Sequence, residues 1–451
     1  KQPIDLVLAN PQQLRNYALE FYSVSRAMGN AGSNQGEQVG NVQNIEQLIE
    51  LGKAGSVDAD DQHIVSIVDW LMQYAFSQRA SDIHIEPRRK QGNVRFRIDG
   101  VMHQVYEIPA NITSAVTSRI KIMGRLDVAE KRRPQDGRIK TVTPTGQEVE
   151  MRLSSMPTAF GEKLVLRIFD PEVLLRDFAD LGFENKDSEI WHNMIRQPFG
   201  IILVTGPTGS GKTTTLYTSL KHLAVPEVNV CTIEDPIELV EPLFNQMQVQ
   251  HNIDVDFASG VKTLLRQDPD IIMIGEIRDR ETAEMAIQAA LTGHLVLSTL
   301  HTNDAPSAVA RLTEIGIPPY LISATLLGVV AQRLVRILCP HCKQPVELDK
   351  SQWGSLIKPW TTQAPGSMYQ AVGCLECRQT GFLGRKGIYE MMPLTEELKQ
   401  GITRDFDLYK FRKHAIKSGM RPLNLAGAQK VAKGMTTIQE VLKVAPPRYE
   451  G

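Results

Sequence analysis

Long apolar runs are missing from this 451-residue chain. No stretch reaches the ~18 consecutive apolar residues that a membrane-crossing helix needs, and the first residues carry no secretory pattern. The chain opens on Lys1 in the manner of a mid-sequence residue, so its natural start is expected upstream. Net charge is missing as well. Fifty Lys and Arg against 51 Asp and Glu leave −1, which gives no electrostatic case for a nucleic-acid partner. No solenoid period recurs. Cysteine is scarce, and four of the five fall in two C-x-x-C pairs, with Cys231 alone. Pairs of that kind in an intracellular protein point to metal rather than to disulfides. What is present is ordinary globular material, 42% apolar and 22% charged. The length suits roughly two to four domains.

The strongest local signal is Gly206-Pro207-Thr208-Gly209-Ser210-Gly211-Lys212-Thr213, which reads G-x-x-x-x-G-K-T. Before it stands the β-branched run Ile201 to Thr205. After it, Thr214 to Leu223 holds no Gly or Pro. Strand, glycine turn and helix is the context a phosphate-binding loop requires. The glycines let backbone N–H groups converge on phosphate oxygens, and the helix N-terminus adds partial positive charge. Lys212 is expected at the β- and γ-phosphates of ATP, Thr213 at Mg²⁺, and Thr214 beside them.

Taken in order, residues 1–28 read as the tail of a truncated N-terminal domain. Residues 29–59 read as a linker, with 29–44 rich in Gly, Asn, Gln and Ser. In 60–79, Ile64, Ile67, Val68, Leu71, Met72 and Ala75 make one helical stripe. Alternating segments at 81–86, 93–98, 139–142, 147–153 and 163–169, with a second helix over 115–126, complete a compact α+β domain at 60–170. Residues 171–182 connect it to 183–338. There helices alternate with apolar strands at 201–205, 228–234, 271–275 and 295–300, the pattern of a covered parallel sheet. Residues 339–390 form a cysteine-bearing insert, and 391–451 a helical C-terminal region, with Thr437 and Glu440 at capping-box spacing.

Ligands of an open α/β sheet bind beyond the carboxyl ends of its strands. Two acidic stretches are expected there. Thr232-Ile233-Glu234-Asp235-Pro236-Ile237-Glu238 offers carboxylates to polarise water or hold Mg²⁺; a solvated acidic turn is the other reading. Ile271 to Gly275 followed by Glu276 is an apolar strand ending in an acid, a Walker B pattern. His294 and His301 flank the strand 295–300 and are read as γ-phosphate sensors, although single histidines are more often structural. Arg138, Arg152, Arg167, Arg266 and Arg278 are candidates to neutralise charge on the transferred phosphate; composition does not rank them.

Cys339, Cys342, Cys374 and Cys377 supply four thiolates from two turns, with 31 residues between Cys342 and Cys374. A loop of that length closes at modest entropic cost. Four sulfurs leave no open position, so a structural zinc ion is expected. Cys231, within an apolar strand, is expected in the core.

Several motifs in fixed order resemble the type II secretion and type IV pilus assembly ATPase family. They are Ala80-Ser81-Asp82-Ile83-His84-Ile85-Glu86-Pro87, Arg133-Pro134-Gln135-Asp136-Gly137-Arg138, the phosphate loop, the 232–238 acidic box, Leu265 to Asp279, Thr292 to Asn303, and the four cysteines. The resemblance runs from about residue 60 to 444. It implies a PAS-like domain at 60–170 and a RecA-like core at 183–338, an α/β P-loop ATPase. It implies a homo-hexamer with nucleotide held between the two domains. It implies attachment to the cytoplasmic side of the bacterial inner membrane through platform and linker proteins. It assigns Glu276 as the Walker B glutamate, Glu238 as the acidic-box base with Glu234 second, and His294 and His301 as the histidine box. Arg152 and Arg167 from the first domain, and Arg266 and Arg278 from the core, are assigned to nucleotide. The four cysteines exclude the retraction branch, which lacks them. Leu327 to Arg336 favours secretion, and Asn303-Asp304-Ala305-Pro306 favours pilus assembly. A translocase or helicase on the same core is the alternative, and it would need a basic channel that the charge balance does not supply.

Overall fold

The computed structural model describes residues 58–143, 146–169 and 176–447. The expected 1–28 tail and nearly all of the 29–59 linker lie outside the described residues. The chain divides into two compact units at Asp170/Pro171.

In the first unit, helix α1 (Gln62–Ser77) precedes strands β1 (Ala80–Pro87), β2 (Gln91–Ile98) and β3 (Val101–Pro109). Helix α2 (Ala110–Met123) follows, then β4 (Gln135–Val142), β5 (Glu148–Thr158) and β6 (Gly161–Ile168). The strands form an antiparallel sheet in the order β3-β2-β1-β6-β5-β4. The six-residue stripe of α1 is buried as its spacing requires, and Asp61 caps the helix by accepting from the His63 N–H. Alternate strand residues, among them Ile83, Ile85, Phe96, Met151, Leu153, Leu164 and Leu166, share that core with Val116 and Ile120 of α2. The sheet's other face is cationic. Arg97, Asp82, Arg167, Arg152 and Arg138 stand in register across five strands, with Asp82 paired to Arg167 at 2.9 Å. Strand β3 is an addition to the sequence reading. It is an edge strand, mostly half-exposed, so its alternation is weak. Left-handed backbone at Asp99 and Gly100 (φ 50° and 84°) turns it back onto β2.

The second unit begins with α3 (Phe178–Leu181) and α4 (Asn185–Ile195), then β7 (Gly200–Thr205), α5 (Lys212–Leu223), β8 (Val230–Glu234) and β9 (Asn245–Gln248). It continues through α6 (Phe257–Leu264), β10 (Ile271–Ile274), α7 (Arg280–Leu291), β11 (Leu295–Leu300), α8 (Ala305–Glu314), α9 (Pro319–Thr325) and β12 (Leu326–Leu338). The sheet order is β15-β12-β7-β11-β10-β8-β9, where β15 is Phe382–Pro393. All neighbours are parallel except β15, which runs antiparallel to β12. Every residue of β7, β8, β10 and β11 is buried, which is why these strands read as mainly apolar runs. Apolar clusters cover both sides of the sheet.

The expected insert returns to this sheet before its expected end. Residues 382–390 belong to β15, and Gly384 and Gly387 had masked its apolar pattern. A Cβ on Gly387 would lie 2.3 Å from the Tyr389 hydroxyl oxygen, so that position accepts only glycine. Between β12 and β15 lie β13 (Gln344–Val346), α10 (Lys350–Ile357) and β14 (Met368–Gln370); β13 and β14 pair with each other. The C-terminal helices are α11 (Glu396–Gln400), α12 (Leu408–Lys417), α13 (Leu423–Ala432) and α14 (Ile438–Val444). Thr437 caps α14 through the Glu440 N–H.

Candidate active site and tetracysteine cluster

The 206–213 loop leaves the carboxyl end of β7, between β12 and β11 in the centre of the sheet. Its backbone needs glycine. Gly206 has φ 154°, and a Cβ there would meet the Gln332 carbonyl oxygen and Ser210 Oγ at 2.6 Å. Gly211 caps α5 in left-handed conformation at φ 88°. The N-terminus of α5 therefore points its free N–H groups into the loop. Lys212 Nζ donates to the carbonyls of Gly206 (2.8 Å) and Pro207 (3.3 Å), inside the loop's own curve. Burial brings its pKa down to about 8, with Glu276 opposing the shift and Arg333 adding to it. Pro207, Thr208, Gly209 and Thr213 are exposed, while Thr214 is half-buried. Ser210 is buried, and its hydroxyl has no hydrogen-bond partner, a polar atom inside a loop shaped for an oxyanion.

Glu276 stands two residues past β10, at the same edge of the sheet. One carboxylate oxygen lies 3.2 Å from His301 Nε2, and the other pairs with Arg278. Strand β11 places His301 there by running parallel to β7 and ending at Leu300, opposite Thr205. The Thr205 hydroxyl then ties the two strand ends together, meeting Thr302 Oγ1 at 2.7 Å.

Glu234 and Glu238 have different surroundings. Glu234 is buried at 3% exposure. It accepts from Tyr217 Oη and Thr232 Oγ1, each at 2.6 Å, and from Gln246 Nε2 at 3.1 Å. Burial and the Glu234 charge hold the Tyr217 hydroxyl protonated. That carboxylate is committed to the core. Glu238, four residues on, is half-buried in the loop after β8.

Two of the expected site residues, His294 and Arg266, sit away from the loop within this chain. His294 and Arg266 precede β11 and β10, so both lie toward the amino edge of the sheet, and the rise of β11 puts His294 about 20 Å from the strand's carboxyl end. His294 Nδ1 sits 2.9 Å from the Ala289 carbonyl oxygen, and Arg266 donates to Lys262 at 2.7 Å. The reason is simple. Residues that flank one strand go to opposite edges, so His301 and Arg278 reach the loop's edge and their counterparts do not. Arg152 and Arg167 belong to the cationic face of the first unit, where Arg152 is half-buried and Arg167 exposed.

Gln332 and Arg333 of β12, inside the 327–336 stretch, also sit at the loop. Gln332 accepts from Thr215 Oγ1 at 2.8 Å, and Arg333, 6% exposed, would touch a Cβ on Gly206 at 3.0 Å. The available signal was a polar pair inside an apolar strand.

The four cysteine sulfurs lie within 4.8 Å of one another. Sγ–Sγ distances of 3.8 Å (Cys339–Cys374) and 3.7 Å (Cys342–Cys377, Cys374–Cys377) suit a tetrahedron, since Zn–S bonds of about 2.3 Å give edges of about 3.8 Å. Backbone N–H groups of Gly373, Cys374 and Gly381 point at these sulfurs, as thiolates require. At Cys377 burial favours the thiol, but the Cys374 and Gly381 N–H groups outweigh it and hold the pKa at about 7. The cluster is compatible with zinc.

The family model described as "T2SSE: Type II/IV secretion system protein" matches residues 57–443. The chain belongs to that family. It is 59% identical over 443 residues to the type IV pilus assembly ATPase TfpB of Acinetobacter baylyi, covering 98% of this chain and 76% of that one. To the type II secretion system protein E of Pseudomonas aeruginosa it is 47% identical over 386 residues, covering 85% and 76%. Among solved structures, the pilus retraction motor PilT with bound ADP aligns at TM-score 0.59 and 25% identity, covering 84% of this chain and 97% of that one. The Legionella pneumophila ATPase DotB aligns at TM-score 0.63 and 20% identity, covering 84% and 95%, a likeness of fold. The second unit is thus a RecA-like core, and the chain is an ATPase of the type II/IV secretion family. No helix among the described residues is long and apolar enough to cross a membrane.

Proposed function

We propose that this ATPase powers type IV pilus assembly. It would work as a cytoplasmic homo-hexamer held at the inner membrane by platform and linker proteins. What favours the pilus branch is 59% identity to a pilus assembly ATPase across 98% of the chain, against 47% across 85% for a secretion relative.

The observation that carries the enzymatic reading is the meeting of Glu276 and His301, 3.2 Å apart, at the edge where the phosphate loop opens. ATP phosphates would lie against the N–H groups of 206–214, with Lys212 on the β- and γ-oxygens. Thr213 and Glu276 would hold Mg²⁺, which neutralises phosphate charge when bound. Glu276 orients the attacking water, and Glu238 is the base of choice because Glu234 is already spoken for by three donors. His301 reads the γ-phosphate through Glu276. Arg278 holds Glu276 and adds positive charge. Arg266 and His294 are left for contacts outside the chain's own site. Zinc at the four cysteines is structural.

In a bacterium carrying Glu276→Gln as its sole copy of this ATPase, the protein should accumulate and bind ATP while surface pili disappear. Normal piliation would overturn the motor assignment. Loss of protein export with pili intact would move it to the secretion branch.

A further inference from the structure

Five consecutive residues after β11 each grip a different element. His301 meets Glu276, beyond β10. The Thr302 N–H donates to Thr205 Oγ1 at 2.9 Å, at the root of the phosphate loop. Asn303 accepts from Arg333 Nη2 through its carbonyl (2.9 Å) and its Oδ1 (3.3 Å), and Arg333 also donates to the Gln332 carbonyl behind Gly206. Asp304 caps α8 through the Ser307 N–H at 2.8 Å and pairs with Arg412 of α12 at 3.2 Å. The Ala305 N–H donates to Glu390 Oε1 at 2.8 Å. The second oxygen of Glu390 accepts from the Leu423 N–H at 3.3 Å, so one carboxylate joins the N-termini of α8 and α13.

The depth of these groups decides what they do. Asp304, Arg333 and Glu390 are 5%, 6% and 4% exposed. Breaking a buried charged contact leaves its partner desolvated and unpaired, so none of them slips independently. A segment of five residues spans at most about 17 Å. The buried groups tie residues 303–305 to Arg333, Arg412 and Glu390, while His301, its side chain 50% exposed, is the accessible end beside Glu276. The first two grips face the nucleotide edge, and the last two face the C-terminal helices.

Resting on the nucleotide reading above, we propose that residues 301–305 transmit occupancy of the phosphate loop to helices α12 and α13, with Arg412 and Glu390 as positioning residues on the receiving side. The two arrangements differ in whether His301 faces Glu276 alone or Glu276 with a γ-phosphate. The C-terminal helices then become the moving surface of the motor, and binding of a partner to them feeds back on nucleotide affinity by the same factor.

Hydrogen exchange on the full chain tests this, with and without saturating adenosine 5′-(β,γ-imido)triphosphate and Mg²⁺, and with analogue binding titrated separately. In the native protein, amides of 408–417 and 423–432 should change exchange rate about 5-fold or more on binding, the low end of allosteric coupling. Asp304→Asn keeps a capping oxygen for α8 and Arg412→Met keeps the aliphatic stem; both should bind the analogue yet lose that change. Arg412→Lys should recover part of it, which a purely structural loss would not. Binding without any change at these helices in the native protein overturns the transmission, as does a full-sized change in both variants. Failure of the native chain to bind the analogue removes the nucleotide reading along with it.

Discussion

His301 Nε2 lies 3.2 Å from Glu276 Oε2, and Arg278 holds the other oxygen of the same carboxylate. A side-chain nitrogen at each oxygen fixes the carboxylate at the carboxyl edge of the sheet, where the phosphate loop opens. Glu276→Gln keeps the shape and removes the charge. It should lower kcat by about 10²- to 10⁴-fold, the range for a positioned acid–base group, and leave nucleotide affinity near native. Steady-state kinetics with a fluorescent-nucleotide titration checks this. A variant that loses affinity in step with kcat would place Glu276 in binding instead.

Burial holds Lys212 at about pH 8, against the pull of the Glu276 charge. Phosphate binds the ammonium form, so binding raises this pKa and takes up a proton. Affinity should be constant below about pH 7 and fall by up to about tenfold per unit above pH 8. Calorimetry in buffers of different ionisation enthalpy at pH 8.5 should register the proton taken up. A flat affinity from pH 7 to 9.5 would contradict the role given to Lys212.

Glu234 accepts from Tyr217, Thr232 and Gln246 in a buried pocket. Glu234→Ala leaves the buried Thr232 hydroxyl without its acceptor, while Tyr217 and Gln246 keep the Leu239 carbonyl. Denaturant unfolding should report a loss of about 1–3 kcal/mol, whereas Glu238→Ala should change stability little and turnover strongly. Native stability in Glu234→Ala with turnover abolished would reverse the two glutamates.

The four cysteines should hold one zinc ion per chain by metal analysis of native protein. The double variant Cys374→Ser/Cys377→Ser should lose it and open residues 339–381 to protease. Nucleotide affinity should persist, because β12 and β15 reach the sheet outside the cluster. A native protein without zinc, or a variant that unfolds as a whole, would contradict a local structural role.

Much of this was legible in the chain itself, for identifiable reasons. The phosphate loop could be read because its glycines are demanded by backbone geometry at Gly206 and Gly211, so the pattern leaves little freedom. Helix α1 and the four central strands could be read because burial writes its period into the sequence. Strand β3 was hidden by its exposed edge, and β15 by two glycines, of which Gly387 makes room for Tyr389. The histidines and arginines were harder. Sequence neighbours of one strand look equivalent, yet the strand separates them by its own length, so His301 and Arg278 join Glu276 while His294 and Arg266 sit at the far edge. The grip of 301–305 on five elements was invisible, because Arg333, Glu390 and Arg412 come together only through the sheet order and the packing of α12 and α13.

Phosphate release from ATP by the native chain and by Lys212→Ala, at equal concentration with Mg²⁺, tests the central claim most directly. The account predicts steady turnover in the native protein and none above background in the variant, with the variant still folded and zinc-loaded. Turnover at the native rate in Lys212→Ala would contradict it.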